Sequence, residues 1–271
     1  MRVIVGLSDK EMMKEAVRIV KTAQEKGVIL RILGAIAIRL HSLGYEEFHR
    51  KLGRLSNVEK SFTDIDLVGY SSQHGKIRRL MEKDLSFYIS RQLLLLHGKD
   101  RLIYHHPQKL YHVDVFFDKL AFSHDVPFGK MGKGRLELDY PTITVTDLLL
   151  EKLQIHEINE KDIKDIIVLL KAHELGHNEE DQVNLDYIAE LLGDDWGFWK
   201  DAVDNLKKTL TFAEKYRERS LISNQDLGEI CEKVSKLLEV LENCPKTKRW
   251  QKGAKRGAKK KYWRDVEELY R

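Results

Sequence analysis

The chain has 271 residues and a mass of 31.7 kDa, a length that fills one large domain or two modest ones. Its 42% hydrophobic and 33% charged residues, with only 4 prolines and 17 glycines, describe a water-soluble, helix-rich globular chain and exclude collagenous, low-complexity and disordered classes. The net charge of +4 hides an asymmetry: residues 246–271 carry a net +8, and residues 1–245 a net −4.

In chain order, Ser8-Asp9-Lys10-Glu11 reads as a capping box, with Leu7 and Met12 spaced as a hydrophobic staple. Met12, Ala16, Ile19, Val20 and Ala23 keep a helical period until Gly27 stops it. Residues 30–42 are almost all small or branched apolar and must be buried, with a helix beginning around Gly34. Asp64-Ile65-Asp66-Leu67-Val68 reads as a short strand, Lys76 to Leu96 as one long helix, and Leu102 to His105 with Leu110 to Phe117 as a hairpin. A glycine-punctuated loop over 129–134 precedes a strand expected at Leu136-Glu137-Leu138. Beyond Pro141 the pattern predicts helices near 147–157, 160–174, 183–192, 195–216 and 225–242. The expected organisation is 1–146 as a mixed α/β half, 147–245 as an all-α half, and 246–271 as a basic tail. No apolar run approaches the ~18 residues that span a bilayer, and Met1 to Leu7 is too short for a signal peptide, so the expectation is a cytoplasmic chain with no membrane partner. Cys231 and Cys244 have no metal-ligand spacing and read as reduced thiols.

The chemistry-bearing pattern is carboxylic. Asp64 and Asp66, two apart on a strand, leave the same face with Cα atoms roughly 6–7 Å apart, while Ile65 and Leu67 face a core. His112, Asp114, Phe116 and Asp118 alternate in the same way against Val113, Val115 and Phe117. If the two strands are neighbours, Asp114 joins Asp64 and Asp66, and three gathered carboxylates repel one another unless a cation bridges them. Hard oxygen ligands suit Mg²⁺ or Mn²⁺. Asp118 reads as a strand-end turn residue.

The ordered set Leu33-Gly34-Ala35, Thr63-Asp64-Ile65-Asp66-Leu67 and Val113-Asp114-Val115 resembles the nucleotidyltransferase superfamily, the DNA-polymerase-β-like fold. Lys152 and the later Lys161-Asp162-Ile163-Lys164-Asp165 are similar to the pattern of its abortive-infection-type branch. The resemblance spans roughly residues 30–170. It implies an α/β (α+β) fold with a small mixed sheet and flanking helices, followed by an all-α region. It also implies an enzyme that transfers NMP from a nucleotide triphosphate to an acceptor hydroxyl, releasing pyrophosphate. On this resemblance Asp64, Asp66 and Asp114 would hold the metals, Asp114 would also help deprotonate the hydroxyl, and Gly34 and Ala35 would cradle the triphosphate. Lys60 and Lys152 would meet the nucleotide, and Asp162 or Asp165 would hold Lys152 or the nucleotide. The chain departs from the family pattern at Ala35, where a Gly or Ser is usual, at Lys60, where an arginine is frequent, and in the long gap between Gly34 and Asp64. Lys152 also reads as a solvated lysine on an amphipathic helix.

Two further signatures compete. His173-Glu174-Leu175-Gly176-His177 matches H-E-x-x-H, which on a helix would bind zinc for peptide hydrolysis, although the surrounding residues read as a helix end and a polar turn. In the tail, Lys248, Arg249, Lys255, Arg256 and Lys260 are interleaved with Trp250, Tyr262 and Trp263. Cations for phosphates and rings for stacking make an RNA 3′ end, tRNA in particular, the favoured acceptor; a solubilising terminus is the plainer reading. A catalytically weak nucleotide- or RNA-binding protein, or one paired with a protein partner in a toxin–antitoxin arrangement, is the alternative from another class.

Overall fold

A computed structural model describes residues 7–55 and 61–265, which form two compact units. The first comprises residues 1–43, 55–120 and 127–144; the second comprises 44–54, 121–126 and 145–271. The second unit thus takes in two short stretches that the sequence pattern places with the N-terminal half.

In the first unit, α1 (Asp9–Glu25) starts on the expected box: Ser8 Oγ accepts from the Glu11 amide, and the Glu11 carboxylate accepts from the Ser8 amide at 2.8 Å. Its buried stripe is Met12, Ala16, Ile19, Val20 and Ala23. The chain then runs through β1 (Leu30–Leu33) directly into α2 (Gly34–His41), and Gly34 makes the corner with a φ of +71°. After β2 (Asp64–Gly69) comes α4 (His74–Arg79), α3 (Glu46–Lys51) being part of the second unit. The long helix expected over 76–96 is broken. A π-helical turn at Leu80–Asp84 leads to Ser86 in the left-handed region and to Tyr88 paired with His105, and only then does α5 (Arg91–His97) begin. β3 (Arg101–His105) and β4 (His112–Phe117) form the expected hairpin; the short strands β5 (Lys119–Ala121) and β6 (Asp125–Pro127) follow in the chain, most of β6 falling in the stretch 121–126 of the second unit.

The four-stranded sheet has the order β1-β2-β4-β3, with β2 and β4 parallel and the outer strands antiparallel to their neighbours. One of its faces is core: Leu30, Ile32, Ile65, Leu67, Leu102, Tyr104, Val113 and Val115 are fully buried. Residues 141–143 cover the free edge of β1, where the Ile32 amide donates to the Pro141 carbonyl and the Ile143 amide to the Ile32 carbonyl, both at 3.0 Å. Leu136 and its neighbours form a 3₁₀ turn over Arg135–Glu137 instead of a strand, held by Glu137, which accepts from the Gly132 amide and from the Tyr70 hydroxyl.

The second unit is predominantly helical: α3, α6 (Val145–Leu153), α7 (Glu160–Ala172), α8 (Leu185–Asp194), α9 (Trp196–Glu218), α10 (Asn224–Asn243) and α11 (Lys248–Arg256). The exception is a parallel ladder of β7 (Glu174–Gly176) and β8 (Gln182–Asn184), on either side of the polar turn expected between the helices near 160–174 and 183–192. Gly176 leaves room for the Gln182 side chain, whose Oε1 would lie 1.6 Å from an added Cβ. The whole is a mixed α/β chain with a small sheet and flanking helices, followed by a helical region. No helix of the described residues is long and apolar enough to cross a membrane.

Candidate active site

The second sheet face carries polar chemistry. In the parallel β2–β4 pair Asp66 stands opposite Asp114 and Asp64 opposite His112. Register partners in a ladder share a face, so the two carboxylates of β2 and the His-x-Asp of β4 form one block. β1 extends the first row with Leu33 opposite Asp66, and β3 with Ile103 opposite Asp114. Alternation along β2 explains the arrangement: Ile65 and Leu67 are fully buried, while Asp64 and Asp66 are half-buried.

Gly34 adjoins this block. An added Cβ would stand 3.0 Å from Asp66 Oδ2, so the absence of a side chain lets the start of α2 approach that carboxylate. Leu33, at the cap position of α2, offers no side-chain oxygen to the first turn, and Ala35 follows as its half-buried second residue.

Asp114 is 0% exposed, and Arg101 Nη2 donates to its Oδ2 at 2.5 Å, with the guanidinium 4.8 Å over the Phe116 ring. Arg101 did not stand out in the sequence. Its only signal is the hairpin register, which pairs it with Phe116 and therefore sets it diagonally across from Asp114. His112 is likewise part of the block: the hairpin places its ring edge-to-face with His105 at 4.6 Å, and His105 stacks on Tyr88 at 5.0 Å. Burial, with His112 next in effect, holds the His105 pKa below the ordinary histidine value. Asp118 is a turn residue with a φ of +58°, and its carboxylate accepts from the Ser71 amide. Lys60 lies outside the described residues.

Lys152, Asp162 and Asp165 meet in the second unit. Lys152 Nζ, on a residue only 8% exposed, is 3.1 Å from Asp162, 3.3 Å from Asp165 and 3.6 Å from Glu151. Arg54 closes the network with two hydrogen bonds to Asp165, at 2.5 and 3.1 Å. Burial opposes the charge on Lys152, but Asp165, Glu151 and Asp162 outweigh it and hold its pKa above the ordinary lysine value. Lys152 is therefore a buried member of an ion network and not the solvated lysine of an amphipathic helix.

The H-E-x-x-H match lacks the helix on which zinc ligation by that pattern depends. α7 ends at Ala172, and Glu174–Gly176 is the strand β7. His173 is buried with its ring toward Asp181, while His177 is exposed beside Asp186.

In the described part of the basic tail the rings point inward. Trp250 packs edge-to-face on Trp199 at 5.3 Å, the Tyr262 hydroxyl donates to Asp201 at 3.1 Å, and Trp263 stacks on His156 at 3.7 Å. The rings that the sequence pattern offers for base stacking are engaged within the second unit.

No family model and no curated protein matches the chain. Among solved structures it is similar to an antigenic nucleotidyltransferase-like protein from Paracoccidioides brasiliensis, at 13% identity and a TM-score of 0.38, over 92% of this chain and 100% of that one.

Proposed function

We propose that the chain is a metal-dependent nucleotidyltransferase that joins the NMP of a nucleotide triphosphate to an acceptor hydroxyl. The observation that carries this reading is the sheet register, which sets Asp66 against Asp114 and brings Asp64 onto the same face, with Gly34 against Asp66. Three carboxylates on adjacent strands repel one another, and the Arg101 guanidinium pairs with Asp114. That donor set, all oxygen with a half-buried pair beside a buried third member, fits Mg²⁺ or Mn²⁺. Bound there by Asp64, Asp66 and Asp114, such a cation would supply charge neutralisation at the triphosphate.

The protein's own residues do the rest by placement. Gly34 keeps the start of α2 clear of a side chain where the triphosphate would lie, and Arg101 orients the Asp114 carboxylate through its hydrogen bond to Oδ2. The acceptor oxygen forms a bond to the α-phosphorus as the bond to pyrophosphate breaks, and Asp114 helps to remove the hydroxyl proton. An RNA 3′ end is the first acceptor to test, because of the charge on residues 246–265.

The test is calorimetric titration of Mg²⁺ with each nucleotide triphosphate, paired with pyrophosphate detection. Metal-dependent nucleotide binding that disappears in Asp64→Asn/Asp66→Asn, together with pyrophosphate release, supports the reading. Binding without pyrophosphate release in the presence of total RNA, small-molecule and protein acceptors turns it into the nucleotide-binding alternative, and metal-independent binding that survives the double substitution overturns it.

A further inference from the structure

The C-terminal helix α11 is a two-faced element. Trp250, Gly253 and Ala254 are half-buried, while Lys248, Arg249, Gln251, Lys252, Lys255 and Arg256 are exposed. At 100° per residue the first set forms the docked stripe and the second the solvent face, with Lys248, Lys252, Lys255 and Arg256 clustered at its centre. Lys259 and Lys260 continue the charge past Gly257, whose φ of +53° ends the helix.

This face is held in place. Thr247 caps α11 by accepting from the Trp250 amide and also donates to Asp194 at 2.7 Å, and Arg249 bridges Asp194 and Asp195 at 2.8 and 3.1 Å. Gly253 lies against Trp196, where a Cβ would come within 2.8 Å, and Lys246 sits over the rings of Trp199 and Trp250. Downstream, Arg264 donates to the Phe122 carbonyl and to Asp125.

The docking is achieved against self-repulsion. The pairs Lys248/Lys252 and Lys252/Arg256 are like charges one turn apart on α11, each unfavourable by about 0.2–0.5 kcal/mol. Among the described residues, no carboxylate lies within ion-pair range of Lys248, Lys252, Lys255, Arg256, Lys259 or Lys260, since the acidic neighbours Asp194 and Asp195 are committed to Arg249. A cavity of ≈ 190 Å³ at the edge of the face is lined by Arg249, Arg256 and Lys260 together with those two aspartates, enough room for a single anionic group.

We propose that this face binds the phosphate backbone of base-paired nucleic acid. The charge calls for a polyanion. A membrane-surface helix would turn its apolar side outward, whereas here Trp250 and Ala254 are docked. A protein partner would be met by aromatic or aliphatic anchors, and the exposed positions of α11 hold none. A single strand would be gripped by stacking, and Trp250, Tyr262 and Trp263 are already packed inside the unit. What remains is sequence-independent contact to phosphates spaced along a duplex. The proposal goes beyond transfer chemistry and needs none of Asp64, Asp66 or Asp114.

The experiment is fluorescence anisotropy of the full chain with a labelled RNA hairpin, titrated between about 50 and 200 mM salt. With some four to six phosphates neutralised, the slope of log K against log salt should be about −4 to −5. K248Q/K252Q/K255Q should make the slope shallower by about 2–3 and weaken binding at low salt at least tenfold, whereas K10Q/K14Q/K21Q on exposed positions of α1 should leave both unchanged. Circular dichroism confirms that each variant folds. Asp64→Asn/Asp66→Asn should retain full binding, so that loss of transfer and loss of binding are separately visible. The proposal is overturned by a flat salt response, by a tail triple variant that binds as wild type does, by a single strand of equal length binding as tightly as the hairpin, or by phosphatidylserine vesicles capturing the protein as tightly with the same sensitivity to the three lysines.

Discussion

At the scale of single residues, the site turns on contacts that leave little room for substitution. Gly34 combines a left-handed φ with an open side toward Asp66, so Gly34→Ala incurs about 1–2 kcal/mol of backbone strain and pushes a methyl to 3.0 Å from a carboxylate oxygen. We expect the variant to fold and its transfer rate to drop at least tenfold, measured by pyrophosphate release; an unchanged rate would remove Gly34 from the site. Arg101 is the other lever, because replacing it takes a guanidinium away from a fully buried carboxyl group. Arg101→Met should destabilise the chain by about 3 kcal/mol, and Mg²⁺ should recover more of the melting temperature in the variant than in wild type, since both cations answer to the same carboxylate. Equal Mg²⁺ responses in the two proteins would argue that Asp114 is no ligand. The carboxylates were legible in the sequence because a period of two survives without knowledge of neighbours. Arg101 was not, because its relation to Asp114 exists only once the six-residue link between β3 and β4 has set the register.

At the scale of elements, buried charge decides how the helical unit is built. The Lys152 network joins α6 and α7 to the stretch carrying Arg54, and Lys152→Met removes the cation that Glu151, Asp162 and Asp165 share, which we expect to cost about 3–5 kcal/mol in urea unfolding. A second buried carboxylate, Asp201 on α9, accepts from His124 Nε2 at 2.7 Å, His156 Nδ1 at 2.9 Å and the Tyr262 hydroxyl. Burial pushes its pKa up, but the hydrogen bonds from His124 and His156 prevail and hold it below the usual 3.8. A depressed folded pKa contributes stability that is present above the unfolded value and lost as pH falls through the folded one. The stability gap between wild type and Asp201→Asn should therefore be constant at neutral pH and shrink below about pH 4; a gap that widens on acidification would contradict this. Element boundaries were legible where caps and glycines mark them, as at Ser8 and Gly34. They were illegible where no breaker marks the change. The 76–96 helix ends in a π turn and a left-handed Ser86 because Phe87 enters the core and Tyr88 pairs with His105. Both are tertiary events that a local hydrophobic period does not record.

At the scale of the whole molecule, the chain separates its chemistry from its charge: carboxylates on the sheet face of the first unit, a cationic helix on the second. The split between a mixed half and a helical half could be read from where alternation gives way to helical period, and the tail's charge from composition alone. That the tail forms a helix with its tryptophan turned inward could not, since docking on Trp196 and Trp199 is what orders it. The central claim is that the three carboxylates serve nucleotide transfer. Its most direct test is transfer of label from each α-labelled nucleotide triphosphate, with Mg²⁺ and total RNA, small-molecule or protein acceptors, by wild type and by Asp64→Asn/Asp66→Asn. The account predicts incorporation into one acceptor class with matching pyrophosphate release, reduced at least a hundredfold in the double variant. Equal incorporation by the two proteins, or none from any nucleotide into any acceptor, would contradict it.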